Sequence, residues 1–151
     1  MSDTRDLIEQ KITKILDHIG VSAKVAVEPS EEGSFKATLT GEDLGLVIGY
    51  HGEGLSSLQN IVSLLVAKDE GEYKHIRIDI NGYRSEREEK IKDIVKNSID
   101  KVRFTLGPVE LAPMTAEDRR LVHMEMQDYD DVISESTGEG YNRRVVIKPK
   151  S

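Results

Sequence analysis

Along the first eighty residues of this chain, aliphatic side chains recur with a period that switches between helix and strand. Leu7, Ile8, Ile12, Ile15, Leu16 and Ile19 fall at helical spacing and Gly20 stops the pattern, so residues 4–19 are expected as an amphipathic helix. Residues 24–28 and 35–39 flank a turn at residues 29–33, and Phe35, Ala37 and Leu39 alternate with polar residues, as in a hairpin with one buried face. A short helical piece, residues 43–48, leads to Gly49-Tyr50-His51-Gly52. A longer helix follows with Leu55, Leu58, Ile61, Val62, Leu65 and Val66 on its inner face, and residues 75–80 alternate as a third strand. The order is α-β-β-α-α-β, enough for one small domain.

The second half repeats the mixture with different connections. Residues 84–106 read as a long amphipathic helix with Ile91, Ile94, Val95, Ile99, Val102 and Leu106 as its stripe, ended by Gly107-Pro108. Residues 109–111 are a candidate short strand. Thr115 is placed to cap a helix running to about residue 127, with Asp118 completing the capping box. That helix buries Leu121, Val122 and Met126. Residues 132–136 and 144–147 read as two strands of a hairpin joined through Thr137-Gly138-Glu139-Gly140. The fold class is therefore α+β, with expected domains at 1–81 and 82–151.

Composition removes whole classes of function. There is no cysteine among the 151 residues, which excludes disulfides, zinc fingers and thiol nucleophiles. With no Trp and two Phe, the core must be aliphatic. No apolar run approaches the roughly 18 residues that span a membrane, so no membrane insertion is expected. The polar start Met1-Ser2-Asp3-Thr4-Arg5-Asp6 is not a signal peptide, which makes the cytoplasm the expected location. The net charge of −7 argues against nonspecific coating of nucleic acid. Charge is segregated near the end, however. Glu125, Asp128, Asp130, Asp131, Glu135 and Glu139 form an acidic stretch, followed by Arg143, Arg144, Lys148 and Lys150 with no acid among them. A local basic surface is compatible with an acidic chain, although an arginine of the pair 143/144 is also placed to neutralise the acids at 125–139.

An enzyme finds little support. His18, His51, His75 and His123 are scattered without zinc-ligand spacing, and His75 reads as a structural or surface residue. Walker A and GxSxG sequences are absent. Asp128, Asp130 and Asp131 would attract Mg²⁺ only with partner acids, so a solvated acidic turn is expected. No catalytic residue, metal site or cofactor is expected, and no hydrolysis of RNA in Mg²⁺.

Two short motifs carry the functional reading. The first is Gly49-Tyr50-His51-Gly52, between two helices and after a hairpin. About one G-x-x-G match arises by chance in such a chain, so the context matters more than the letters. Glycine lets a phosphate approach the backbone, and the next helix start offers N–H groups and a positive dipole end. Val47, Ile48, Leu55 and Leu58 are candidates to line an apolar groove for unstacked bases. The alternative is a plain helix corner. The second motif is Arg119-Arg120-Leu121-Val122-His123, which sets Arg119 and His123 four apart on one helical face. The alternative there is a solvated face with an ordinary surface histidine.

Residues 45–59, Gly-Leu-Val-Ile-Gly-Tyr-His-Gly-Glu-Gly-Leu-Ser-Ser-Leu-Gln, resemble the loop and flanking helices of a type II KH domain. In that family the loop clamps the backbone of about four single-stranded nucleotides. Its variable positions are often basic there and are Tyr50 and His51 here, with Glu53 adding a negative charge. Residues 113–123, with Ser134-Glu135-Ser136-Thr137-Gly138-Glu139-Gly140 and Arg143-Arg144-Val145-Val146-Ile147, resemble the R-3-H domain, named for an Arg and a His separated by three residues. KH followed by R-3-H is similar to the bacterial Jag (KhpB) family over about residues 1–150, without that family's additional N-terminal Jag domain.

The resemblance implies binding of single-stranded RNA, with single-stranded DNA left open. It implies a role in post-transcriptional regulation and cell elongation or division. The expected contacts are Gly49, Tyr50, His51 and Gly52 in the first domain, and Arg119, His123, Arg143 and Arg144 in the second. Arg119 would take a phosphate, and His123 would stack on a base or bond a phosphate. The helix at 84–106 would set the distance between the surfaces. A small single-KH-domain protein is the implied partner, and a homodimer is a second arrangement. A protein–protein adaptor with little intrinsic RNA affinity is the alternative function.

Overall fold

The computed structural model describes residues 2–151; Met1, the first residue of the expected polar N-terminal segment, lies outside them. The chain divides into two units between Arg84 and Ser85. The first contains α1 (Ser2–Ile19), β1 (Lys24–Pro29), β2 (Phe35–Thr40), α2 (Gly45–Ile48), α3 (Glu53–Glu70) and β3 (Ile76–Ile80). This is the α-β-β-α-α-β order that the alternating periods specify. β1 and β2 are antiparallel, with Lys24 opposite Thr40 and Pro29 opposite Phe35. β2 and β3 are parallel, with Phe35 opposite Ile76 and Leu39 opposite Ile80. A parallel pair needs a crossover, and α2 and α3 supply it. The sheet order β1-β2-β3 leaves β3 on an edge.

One face of this sheet is buried. Ala37 and Leu39 of β2 and Ile76, Ile78 and Ile80 of β3 are fully covered. Ile8, Ile12 and Leu16 of α1 cover them, with Leu55, Leu58, Val62 and Val66 of α3, and Leu44 and Val47 belong to the same core. Val47, Leu55 and Leu58 therefore line no groove for bases. They are core residues, each worth about 1.5–3 kcal/mol when removed from water. The inner stripe of α3 is also narrower than expected. Ile61 is 49 % exposed, and Leu65 is only half-buried. Ile61 sits one residue from Val62, about 100° around the helix, which carries it off the buried line.

α4 (Tyr83–Thr105) runs across the division, and β4 (Val109–Glu110), α5 (Ala116–Met126), β5 (Val132–Thr137) and β6 (Arg144–Pro149) complete the second unit. Its sheet has the order β4-β6-β5, antiparallel throughout. Val132 lies opposite Pro149 and Thr137 opposite Arg144, so β5 and β6 form the expected hairpin. Ile91, Val95, Ile99 and Val102 of α4 pack with Val122 and Met126 of α5 and with Val145 and Ile147 of β6. Leu106 does not join this stripe. It lies just past the helix at φ +56, donates its N–H to the Val102 carbonyl at 2.8 Å, and is 79 % exposed. No helix among the described residues is long and apolar enough to cross a membrane.

Thr115 caps α5 as expected, its hydroxyl accepting from the Asp118 N–H at 3.2 Å. The Asp118 carboxylate itself is buried and takes Arg87 of α4, from Nε at 3.0 Å and Nη2 at 2.7 Å. This pair ties the first turn of α5 to α4. Removing one partner of a buried pair strands the other charge and costs about 3–5 kcal/mol. Arg103 and Asp131 make a comparable fork at 2.8 and 2.9 Å, but both are exposed and water screens them. Asp118→Ala is thus expected to lower stability by about 3–5 kcal/mol in urea unfolding, while Asp131→Ala leaves the midpoint unmoved; equal effects would contradict the assignment.

Candidate nucleic-acid interface

The first candidate surface is the corner between α2 and α3. Gly49 has φ +72, and a Cβ there would lie 2.8 Å from the Gly54 nitrogen. Gly54 is tighter still, since its Cβ would lie 2.2 Å from the Val47 carbonyl oxygen. A side chain at either position would collide with backbone, which cannot yield. Gly52 is buried at φ +85, and its Cβ would meet the Tyr83 ring at 3.0 Å. The glycines are thus required by packing within the unit, before any ligand approaches.

Between them the loop carries two aromatic rings. Tyr50 is 63 % exposed and stacks on His51 with ring centroids 4.0 Å apart and planes 21° from parallel. His51 holds φ +49, the left-handed region that a non-glycine residue occupies at a cost of about 1–3 kcal/mol. The corner forces that backbone and presents the ring pair at its tip. α3 begins directly behind it, with Gly52 at its N-cap and no side-chain cap bond. Positive dipole and N–H groups of the first turn stand there, opposed by the Glu53 charge.

The second candidate surface lies in the second unit. Arg119 and His123 share one face of α5, as their spacing requires. Arg119 donates from Nη1 to the Met114 carbonyl at 2.8 Å, which anchors the guanidinium at the base of the helix. His123 is held at both nitrogens, with Nδ1 2.7 Å from the Ser134 hydroxyl and Nε2 3.0 Å from the Ser136 hydroxyl. In a neutral ring one nitrogen donates and the other accepts, and each serine hydroxyl turns to match. Ser134 lies opposite Ile147, and Ser136 opposite Val145. Directly opposed side chains share a sheet face, so the serines occupy the covered face of β5 and need polar partners there. His123 supplies them.

Arg143 and Arg144 stand at the hairpin end. Arg143 Nη1 donates to the Gly138 carbonyl at 2.7 Å, and Arg144 Nε donates to the Asn142 carbonyl at 3.0 Å. Arg144 also faces Glu110 at 3.6 Å. Its acidic partner therefore comes from β4 rather than from residues 125–139. Within that acidic stretch, Glu135 pairs with Lys148 at 3.0 Å.

Residues 5–80 match the family model of the KhpA/KhpB KH domain, and residues 88–149 match that of the R-3-H domain. The chain belongs to the KhpA/KhpB family by its KH domain, which an R-3-H domain follows. It is 34 % identical over 140 residues to the RNA-binding protein KhpB of Clostridium symbiosum, covering 92 % of this chain and 63 % of that protein. It is 30 % identical over 138 residues to the RNA-binding protein KhpB of Bacillus subtilis, covering 90 % of this chain and 66 % of that protein. The KhpB of Streptococcus pneumoniae matches at 24 % identity over 136 residues, 41 % of its length. The chain thus spans less than two thirds of the relatives it matches.

Sequence reading missed four contributors to these surfaces. Gly54 shapes the loop from outside the G-x-x-G pattern, and Tyr83 packs on Gly52 from the start of α4. Ser134 and Ser136 hold His123, and their signal was visible: they share the alternation of buried Val132.

Burial first, and then the neighbouring Arg119 charge, push the His123 pKa below its ordinary value. The ring is therefore neutral near pH 7. Below about pH 6.5 the unfolded chain takes up this proton before the folded one does. The serine-held ring contributes stability above that pH, and the contribution is lost as pH falls toward the depressed folded value. A melting-temperature series from pH 7.5 to 5.5 is expected to fall less steeply for His123→Gln than for wild type; parallel profiles would contradict the depressed pKa.

Proposed function

We propose that this chain binds single-stranded RNA through two surfaces and performs no covalent chemistry. The KH domain, at 1–81, contributes Gly49, Tyr50, His51 and Gly52. The R-3-H domain, at 82–151, contributes Arg119 and His123, with Arg143 and Arg144 beside them. The observation that carries the reading is His123 clamped between Ser134 and Ser136 on the same helical face as Arg119. A neutral ring whose two nitrogens are engaged offers its π-face, the part that stacks on a base of any identity. Arg119 supplies the charge that attracts phosphate. In the loop, Tyr50 and His51 supply the stacking surface, and the start of α3 supplies backbone donors in place of basic side chains. The names of the KhpB relatives, each an RNA-binding protein, support RNA as the ligand, with single-stranded DNA as the competing one.

Post-transcriptional regulation in the cytoplasm, linked to cell elongation or division, is the cellular role the family suggests. A protein–protein adaptor is the second reading, favoured by the exposed Ile61 and Leu64 on α3. Its partner would be a small single-KH-domain protein or a second copy of this chain.

Fluorescence anisotropy with single-stranded RNA and DNA at low and moderate salt tests the proposal. Tyr50→Asp/His51→Asp and Arg119→Ala/His123→Ala, checked for folding by circular dichroism, are each expected to weaken RNA binding about tenfold or more. Wild-type affinity should fall steeply with salt. No binding by wild type at low salt would overturn the proposal in favour of the adaptor.

A further inference from the structure

Two side chains close the outer edge of β3. Successive strand residues turn their backbone groups to opposite sides of the strand. The Phe35 N–H donates to the His75 carbonyl and the Asn81 N–H to the Leu39 carbonyl, each at 2.9 Å. Residues 75, 77, 79 and 81 therefore address β2, and residues 76, 78 and 80 address the free edge. An open edge presents unpaired N–H and C=O groups to any ligand that can pair with them. At Ile78 both groups are occupied. Gln59 of α3 accepts the Ile78 N–H at Oε1, 2.8 Å away, and Arg84 of α4 donates from Nε to the Ile78 carbonyl at 3.0 Å. Arg84 Nη2 also donates to the same Gln59 Oε1 at 3.0 Å, which locks the two side chains together. Asp79 holds Arg84 from behind, accepting its backbone N–H at 3.2 Å.

This clasp adjoins the loop. Gln59 stands on the helix that starts at the loop, and Tyr83, next to Arg84, packs on Gly52. A donor and an acceptor side by side on one residue are what a base edge pairs with. Adenine and cytosine set an amino donor and then a ring-nitrogen acceptor along the edge, and uracil sets a carbonyl acceptor and then an N–H donor, so a strand residue whose N–H and C=O are fixed in place fits one order better than the other. Ile78 would thus be a base reader if it were open. A base entering there must first break three hydrogen bonds, all at 3.0 Å or shorter.

We infer that the Gln59–Arg84 clasp closes the KH unit to base readout at Ile78, so that this unit grips the sugar–phosphate backbone with little regard to sequence. The inference rests on the proposal that the loop binds single-stranded RNA. It makes Gln59 and Arg84 determinants of specificity through what they block.

The test uses the full chain and short labelled homopolymers of A, C and U. Wild-type affinities are expected to agree within about threefold, and Gln59→Leu is expected to spread them to about tenfold or more, between the amino-bearing bases and uracil. Gln59→Glu keeps the acceptor for both partners and should stay flat. Amide exchange at Ile78 reports the clasp directly, slow in wild type and Gln59→Glu and fast in Gln59→Leu. Arg84→Met, which frees the carbonyl and leaves the Ile78 N–H on Gln59, serves if Gln59→Leu folds poorly, with a smaller widening between the same bases expected. A wild type that already discriminates tenfold would overturn the inference, as would an opened edge with unchanged preferences. Self-association of Gln59→Leu without altered preferences would assign the clasp to blocking strand addition and overturn it too. Absence of any RNA binding by wild type would sink the loop reading along with it, whereas a flat Gln59→Leu sinks this inference alone.

Discussion

Where α2 meets α3, the Val47 carbonyl oxygen lies 2.2 Å from the place a Cβ on Gly54 would occupy. Nothing larger than hydrogen fits, and the arrangement of the first unit follows from that approach. With the two helices in backbone contact, four residues must reverse the chain, so Gly49 and Gly52 take positive φ and His51 is forced to do the same. The forced backbone stacks His51 on Tyr50 at the tip. The same corner buries Leu55 and Leu58, and it delivers Gln59 to the edge of β3. Candidate site and core are therefore set by one close contact, and the loop conformation exists before any ligand does.

The second unit depends on a different constraint, the satisfaction of buried polar groups. Asp118 on α5 is buried and must be paired, and Arg87 pairs it. Ser134 and Ser136 lie on the covered face of a strand and must be bonded, and His123 bonds them. Both needs act on α5, one at its first turn and one at its last. Together they fix the helix on which Arg119 stands. The acidic net charge matters less than this local arrangement, since ion pairs such as Lys148–Glu135 and Arg103–Asp131 neutralise part of the acidic stretch in place.

Most of the fold was legible because periodicity reports burial directly. Ile76, Ile78 and Ile80 alternate, and all three are buried; Thr115 precedes a helical pattern and caps it. Reading failed where a pattern says nothing about distance. Ile61 and Leu106 have the right chemistry for their stripes, but one lies about 100° off the line and the other past the helix end, where the chain has turned. Val47, Leu55 and Leu58 flank the loop in sequence, and only three-dimensional packing shows that the core has already claimed them. Gly54 looks like one more glycine until the opposing carbonyl is placed. The partners of Ser134, Gln59 and Asp118 lie 11, 19 and 31 residues away, a separation that no local pattern spans.

Both units are proposed to carry a nucleic-acid surface. An amide chemical-shift titration of the full chain with a short single-stranded RNA at low salt tests it most directly. Two separate clusters of shifts are expected, one at residues 49–54 and one at Arg119, His123, Ser134 and Ser136. Shifts confined to one cluster would reduce the claim to a single reader, and shifts at neither would contradict it.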